Sequence, residues 1–186
     1  MFIIACDLGK SKDFSAVSVL ETQRGVKPGT YSLRSLQRLP LGTAYTNVTE
    51  HLRTLTASPA LQADGRPPVL VIDGTGVGAA VEDILRAWRL PLISVKIHGG
   101  NNVIRKRGEI HVPKKDLVLS LQAAFSGGRL LVSREHLEHQ AFLQELQSFK
   151  VKINPRTRRA TFNGEGAHDD LVLSVALAVY IGEHVL

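Results

Sequence analysis

Residues 69–85 read VLVIDGTGVGAAVEDIL, directly after the Pro67-Pro68 break. Val69 to Ile72 is an unbroken aliphatic run, the pattern of a strand covered on both faces. Asp73 and a glycine-rich turn close it. Ala79 to Trp88 then continues as a helix, and Leu92 to Ile97 returns as a strand, which makes a βαβ unit.

Working outward toward the N-terminus, Phe2 to Cys6 is a short apolar run ending in Asp7-Leu-Gly, and Ala16 to Glu21 is a second. They read as a β-hairpin with a polar loop at Lys10 to Asp13. A third strand is expected over Tyr31 to Leu39. Thr43 to Ala57 places Val48, Leu52 and Leu55 near helical spacing before the Ser58-Pro59 stop.

Toward the C-terminus, Gly99 to Val112 is polar and basic without periodicity, so a loop or flexible hairpin is expected. Lys114 to Phe125 and Arg134 to Phe149 look like helices, with a short strand, Arg129 to Val132, between them. Val151 to Ile153 and Ala160 to Phe162 are expected to pair across the basic turn Asn154 to Arg159. From Leu171 to Ile181 apolar residues surround every face, so this last helix belongs inside the core. The whole reads as one α/β domain over 1–186. Its central sheet is mixed, the first three strands antiparallel and the later ones parallel, flanked by helices.

The length suits one ordinary domain. Lys plus Arg number 23 against 17 Asp plus Glu, a net charge of +6, which favours a polyanionic partner without naming one. Cys6 is the only cysteine, so an intrachain disulfide framework and a cysteine zinc cluster are excluded. No run approaches roughly 18 apolar residues and the apolar start is too short for a signal core, so no membrane partner and a cytoplasmic location are expected. Two nucleotide motifs fail. Gly9-Lys10-Ser11 lacks the phosphate-loop glycine five residues before Gly9, where Ile4 stands. Gly74-x-Gly76-x-x-Ala79 lacks the acidic residue required about 20 positions on, between Ser94 and Gly100.

Three acidic positions carry the chemistry. Asp7 and Asp73 each close an apolar strand, and Asp169-Asp170 stand at the mouth of the buried helix. Singly, each has a structural role open to it: a turn carboxylate beside glycine for the first two, a helix cap for the pair. Together they can converge, since neighbouring strands lie about 4.8 Å apart. Converged carboxylates need a cation, and hard oxygen ligands suit Mg²⁺ or Mn²⁺. Two such ions stabilise the attacking and leaving oxygens of a phosphoryl displacement. Basic side chains Arg105, Lys106, Arg107, Lys114 and Lys115 form one candidate phosphate-binding group, and Arg156, Arg158 and Arg159 a second; ordinary solvated charge is the alternative for both. His168 is expected to support the acidic pair from outside the ligand set or to cap the helix, with positioning of water or the leaving group as the alternative. Aromatic residues make up 5% of the chain and suggest no base-stacking platform.

Four segments together resemble the nuclease domain of viral DNA-packaging terminase large subunits, a ribonuclease-H-like (RuvC-like) domain. Segment 69–85 resembles its second acidic strand and following helix, and 3–20, IIACDLGKSKDFSAVSVL, its first strand with the hairpin return. Residues 168–178, HDDLVLSVALA, are similar to its closing acidic helix, and 113–121 to the helix before that. The likeness runs from Phe2 to about Tyr180. It implies a two-metal-ion DNA endonuclease using Mg²⁺ or Mn²⁺, with Asp7 bridging both ions, Asp73 holding one and Asp169 or Asp170 the other. Cleavage would leave 5′-phosphate and 3′-hydroxyl ends. The implied partners are double-stranded DNA, a packaging ATPase domain, a small terminase subunit and a portal, in the host cytoplasm. No packaging ATPase motif lies within these 186 residues. The rival readings are a Holliday-junction resolvase of the same fold and a catalytically silent DNA-binding module of a packaging machine.

Overall fold

The computed structural model describes residues 1–9, 13–23, 25–63, 65–135, 137–153, 160–164 and 168–186, with backbone alone for 149–153 and 160–164. In chain order the elements are β1 (Phe2–Asp7), β2 (Ala16–Thr22), β3 (Tyr31–Arg38), α1 (Tyr45–Ala57), β4 (Val69–Asp73), α2 (Gly78–Ala87) and β5 (Leu92–His98). There follow β6 (Ile104–Lys106), β7 (Glu109–Pro113), α3 (Lys114–Ser126), β8 (Leu130–Val132), α4 (His139–Ser148), β9 (Phe149–Ile153), β10 (Ala160–Gly164) and α5 (Asp170–His184).

Eight strands form one sheet in the order β6-β7-β5-β4-β1-β2-β3-β8, while β9 and β10 pair separately. β1, β2 and β3 are antiparallel neighbours, and the β1–β4, β4–β5, β5–β7 and β3–β8 pairs are parallel. The mixed sheet expected from the sequence is present, and so is the β9–β10 pair. Its basic turn, with Arg156, Arg158 and Arg159, lies outside the described residues.

Of the loop or hairpin expected from Gly99 to Val112 the structure has the hairpin, β6–β7, and β7 is also an interior strand beside β5, which the sequence reading did not include. Ile110 and Val112 are buried while Glu109 and His111 are half-buried, a period of two over only five residues and hence easily missed. The helix expected from Arg134 starts at His139 instead. Ser133 Oγ accepts the Glu135 N–H at 3.2 Å, a local side-chain bond that competes with helix initiation.

Alternation along the strands assigns the two faces. Ile3 and Ala5 of β1 and Val71 of β4 join the core under α3, α4 and α5, whereas Ile4, Cys6, Leu70 and Ile72 join the core under α1 and α2. α5 is buried from Asp170 to Gly182, as its all-round apolar sequence requires. Three cations meet its C-terminal end. Lys27 donates to Gly182 O at 2.9 Å, Arg105 donates to His184 O at 3.0 Å, and Arg129 pairs with Glu183. Positive charge there complements the negative end of the helix dipole.

Candidate functional site

Asp7 and Asp73 continue the odd-numbered face of their strands, the face covered by α5. The last paired position of the parallel β1–β4 ladder is Cys6↔Ile72, so the two carboxylates stand one step beyond it on adjacent strands. Asp169 and Asp170 begin α5 over the same sheet end, and electrostatics joins the four. Asp7 is 8% exposed, and its carboxyl lies well above the usual range, through burial first and then through Asp73, Asp170 and Asp169. The Cys6 thiol is pushed up too, by burial and then by Asp7 and Asp73. Carboxylates dominate this end of the sheet, and Lys114 is the cation opposing them at Asp7.

Each carboxylate is held differently. Among the described residues no hydrogen bond reaches the Asp7 carboxylate, and the Gly9 N–H of the following turn donates to Ser15 Oγ at 3.2 Å instead. Asp73 does form a turn: the Thr75 N–H donates to its Oδ1 at 2.8 Å. The Thr75 hydroxyl in turn accepts the Ile97 N–H of β5, which anchors the turn to the sheet. The Asp73 carboxyl is raised by burial, against the pull of Thr75, Lys96 and Lys114. Gly78 makes the turn possible, because a Cβ there would lie 1.9 Å from the carbonyl oxygen of Asp73.

Asp169 occupies the N-cap position of α5 but makes no side-chain cap bond; its Oδ2 accepts Lys114 Nζ at 2.8 Å. Asp170, 5% exposed, faces Arg38 Nε at 3.6 Å and His168 Nδ1 at 3.8 Å through Oδ2. All three atoms are buried without a hydrogen bond among the described residues. Burial raises the Asp170 carboxyl, Arg38 and His168 draw it back down, and Asp169 and Asp13 push it up. His168 thus stands just outside the carboxylate group, its ring edge-on to Phe14 at 5.2 Å.

Among the described residues no three His, Cys, Asp or Glu side chains are gathered closely enough to close round one ion as they stand. The donors nevertheless suit a hard divalent cation: four carboxylates on one sheet end, one with an orphaned buried oxygen. Mutual repulsion keeps such groups apart until a cation joins them, and Lys114 partly fills that role for Asp169.

The structure divides the five basic residues grouped in the sequence. Lys114 opens α3 beside Asp169, and Lys115 donates to Asn101 Oδ1 at 2.9 Å. Arg105 is bound to the C-terminal end of α5, about 21 Å along the helix from Asp170. Lys106 pairs with Glu109 at 3.5 Å, and Arg107 sits at the hairpin turn. Five-residue β7 therefore separates the two basic groups by about 16 Å.

Four contributors escaped the sequence reading. Arg38 and Glu145 are distant in sequence from the acidic motifs and share no motif with them. Lys96 donates to Gly74 O at 2.6 Å and Glu82 Oε2 at 2.9 Å, and only the β4–β5 register brings it beside Asp73. Asp13, which acts on Asp170, had a weak signal as an acidic residue in the loop after Asp7.

No family model matches the chain, and no curated protein matches it in sequence. Solved structures do. The large terminase nuclease from thermophilic phage G20c with bound magnesium aligns over 96% of this chain and 80% of its own, at 23% identity and a TM-score of 0.70. The human cytomegalovirus terminase nuclease domain aligns over 99% and 84%, at 14% identity and a TM-score of 0.58. The large terminase of bacteriophage HK97 aligns over 96% of this chain but 39% of its own, at 10% identity and a TM-score of 0.57. The fold of this chain is the ribonuclease-H-like fold of the large terminase nuclease domains.

Proposed function

We propose that the chain is a divalent-metal-dependent DNA endonuclease that serves viral genome packaging. The observation that carries this reading is the pairing of Asp7 and Asp73 on adjacent strand ends with the acidic start of α5, on one face of a basic protein. Asp7, Asp73 and Asp169 or Asp170 would hold two Mg²⁺ or Mn²⁺ ions, with Asp7 shared. Bound there, the ions would supply Lewis-acid stabilisation of the attacking and departing oxygens, giving 5′-phosphate and 3′-hydroxyl ends.

The chain's own residues do the rest. Thr75 and the tight turn at Gly78 orient the Asp73 carboxylate, and β2 and α5 wall in Asp7. Lys114 and Lys115 would meet backbone phosphates entering beside the carboxylates, and the hairpin residues Arg105, Lys106 and Arg107 would offer a second, more distant contact. His168 supports Asp170 from outside the ligand set. Double-stranded DNA is the substrate; a packaging ATPase domain, a small terminase subunit and a portal are the partners, in the host cytoplasm. Among the described residues no helix is long and apolar enough to cross a membrane.

A silent DNA-binding module is the second reading, favoured by the Lys114–Asp169 ion pair where a cation would otherwise bind. Incubating supercoiled plasmid with Mn²⁺, Mg²⁺ or chelator decides. Nicked and linear products with either metal and none with chelator are expected; DNA retardation without cleavage would replace the first reading by the second. Cutting of four-way junctions but not linear duplex would point to a resolvase.

A further inference from the structure

Asp169 sits where a capping side chain belongs and does not cap. The bond is made from another helix. Glu145 of α4, 5% exposed, accepts the Val172 N–H in the first turn of α5 at 3.0 Å through Oε2. An orphan amide at a helix start normally takes its acceptor from the N-cap residue itself. Here the acceptor comes from 27 residues earlier, so neither Asp169 nor Asp170 has to provide it.

The other oxygen of Glu145 has a second partner. Oε1 accepts the Arg38 guanidinium from β3, while Arg38 Nε stays 3.6 Å from Asp170 Oδ2, beyond hydrogen-bond reach. The Phe14 ring lies under the same guanidinium at 5.4 Å. Arg38 is thus held between two buried carboxylates and hydrogen-bonded to only one of them, and Asp170 Oδ2 is left without a bond.

We infer that Glu145 is a positioning residue for the acidic site: it caps α5 so that Asp169 is free of the capping bond, and it holds Arg38 off Asp170, leaving the Asp170 carboxylate available to a divalent cation. This rests on the metal-site reading above. The geometry makes the dependence specific. Without the negative charge of Glu145, Arg38 has one remaining buried carboxylate to turn to, Asp170, and a full ion pair there competes with the cation.

The test is Mn²⁺ titration of the whole chain by calorimetry and by metal-dependent thermal shift. Glu145→Gln keeps a carbonyl oxygen for the Val172 N–H but loses the charge that holds Arg38. Its Mn²⁺ midpoint should rise about tenfold, within the range for outer partners of metal ligands. Adding Arg38→Gln to Glu145→Gln removes the competing guanidinium and should bring the midpoint back toward wild type, a rescue that a merely structural role of Glu145 does not predict. Arg38→Gln alone, which keeps the Val172 bond, should bind Mn²⁺ at least as tightly as wild type. This single variant also serves if Glu145→Gln fails to fold. Weaker Mn²⁺ binding by Arg38→Gln, or no rescue in a folded double variant, overturns the inference while leaving the metal site standing. If wild type itself binds no Mn²⁺, the metal-site reading falls and this inference with it.

Discussion

Asp73 ends β4 one step past Ile72, whose ladder partner is Cys6, so its carboxylate neighbours that of Asp7 across a parallel pair of strands. Without a cation between them the two oppose each other. Asp7→Asn should therefore raise the melting temperature in chelator, by about 2–4 °C for each kcal/mol of relieved repulsion in a chain of this size. It should also shrink the further rise that millimolar Mn²⁺ gives wild type. A fall in chelator, with no Mn²⁺ response in wild type, would show Asp7 to be a structural carboxylate.

In the plasmid assay Asp7→Asn and Asp73→Asn should each lose at least the roughly 10–100-fold that removing even an outer partner of a metal ligand costs. Both must keep a native circular dichroism spectrum for the comparison to count. Wild-type cutting by either folded variant would remove that residue from the site.

The pH dependence follows from the raised Asp7 carboxyl. Burial and then Asp73, Asp170 and Asp169 hold its folded value above the unfolded value of about 3.9. The folded state then binds a proton that the unfolded state has released, so stability is highest near and below the unfolded value and falls as pH rises toward the folded one. Glu82, lowered because Ser94, Lys96 and Arg86 together outweigh its burial, loses its contribution only below the ordinary glutamate range. Melting of the chelated protein should rise as pH is lowered toward the unfolded carboxylate value of about 3.9, more steeply in wild type than in Asp7→Asn. Parallel slopes would contradict the raised carboxyl.

Gly78→Ala should destabilise the chain by about 1–3 kcal/mol or more, because the added methyl meets the Asp73 carbonyl oxygen rather than a side chain able to move. Plasmid cleavage should fall with it, since the displaced backbone belongs to Asp73. A variant with unaltered melting and cutting would mean that the turn yields freely.

The two basic groups should separate in DNA binding. Lys115→Ala should flatten the salt dependence of duplex binding by nearly one logarithmic unit for a lost phosphate contact. Arg105→Ala should chiefly lower the melting temperature, because its guanidinium serves the end of α5. An equal loss of salt slope in both would place the hairpin in the same DNA track as Lys115.

Local pattern alone specified much of this molecule. Val69 to Trp88, Phe2 to Glu21 and Leu171 to Ile181 carry periods so clear that strands, a βαβ unit and a buried helix follow from them, and each acidic candidate stands at the end of such a segment. Period two also puts Asp7 on the side of β1 that carries Ile3 and Ala5, and Asp73 on the side of β4 that carries Val69 and Val71; that these two sides are one face follows from the β1–β4 register. Tertiary structure decided what those patterns cannot carry. β7 was too short to show its period, and α4 began late because Ser133 competed locally for the backbone. Arg38 and Glu145 converge on Asp170 from β3 and α4, across 107 residues of chain. Pattern reports only which face a residue takes within its own element. Which cation meets which carboxylate depends on how separate elements pack, and that packing placed Lys114 on Asp169, Arg38 before Asp170, and Arg105 at the far end of α5.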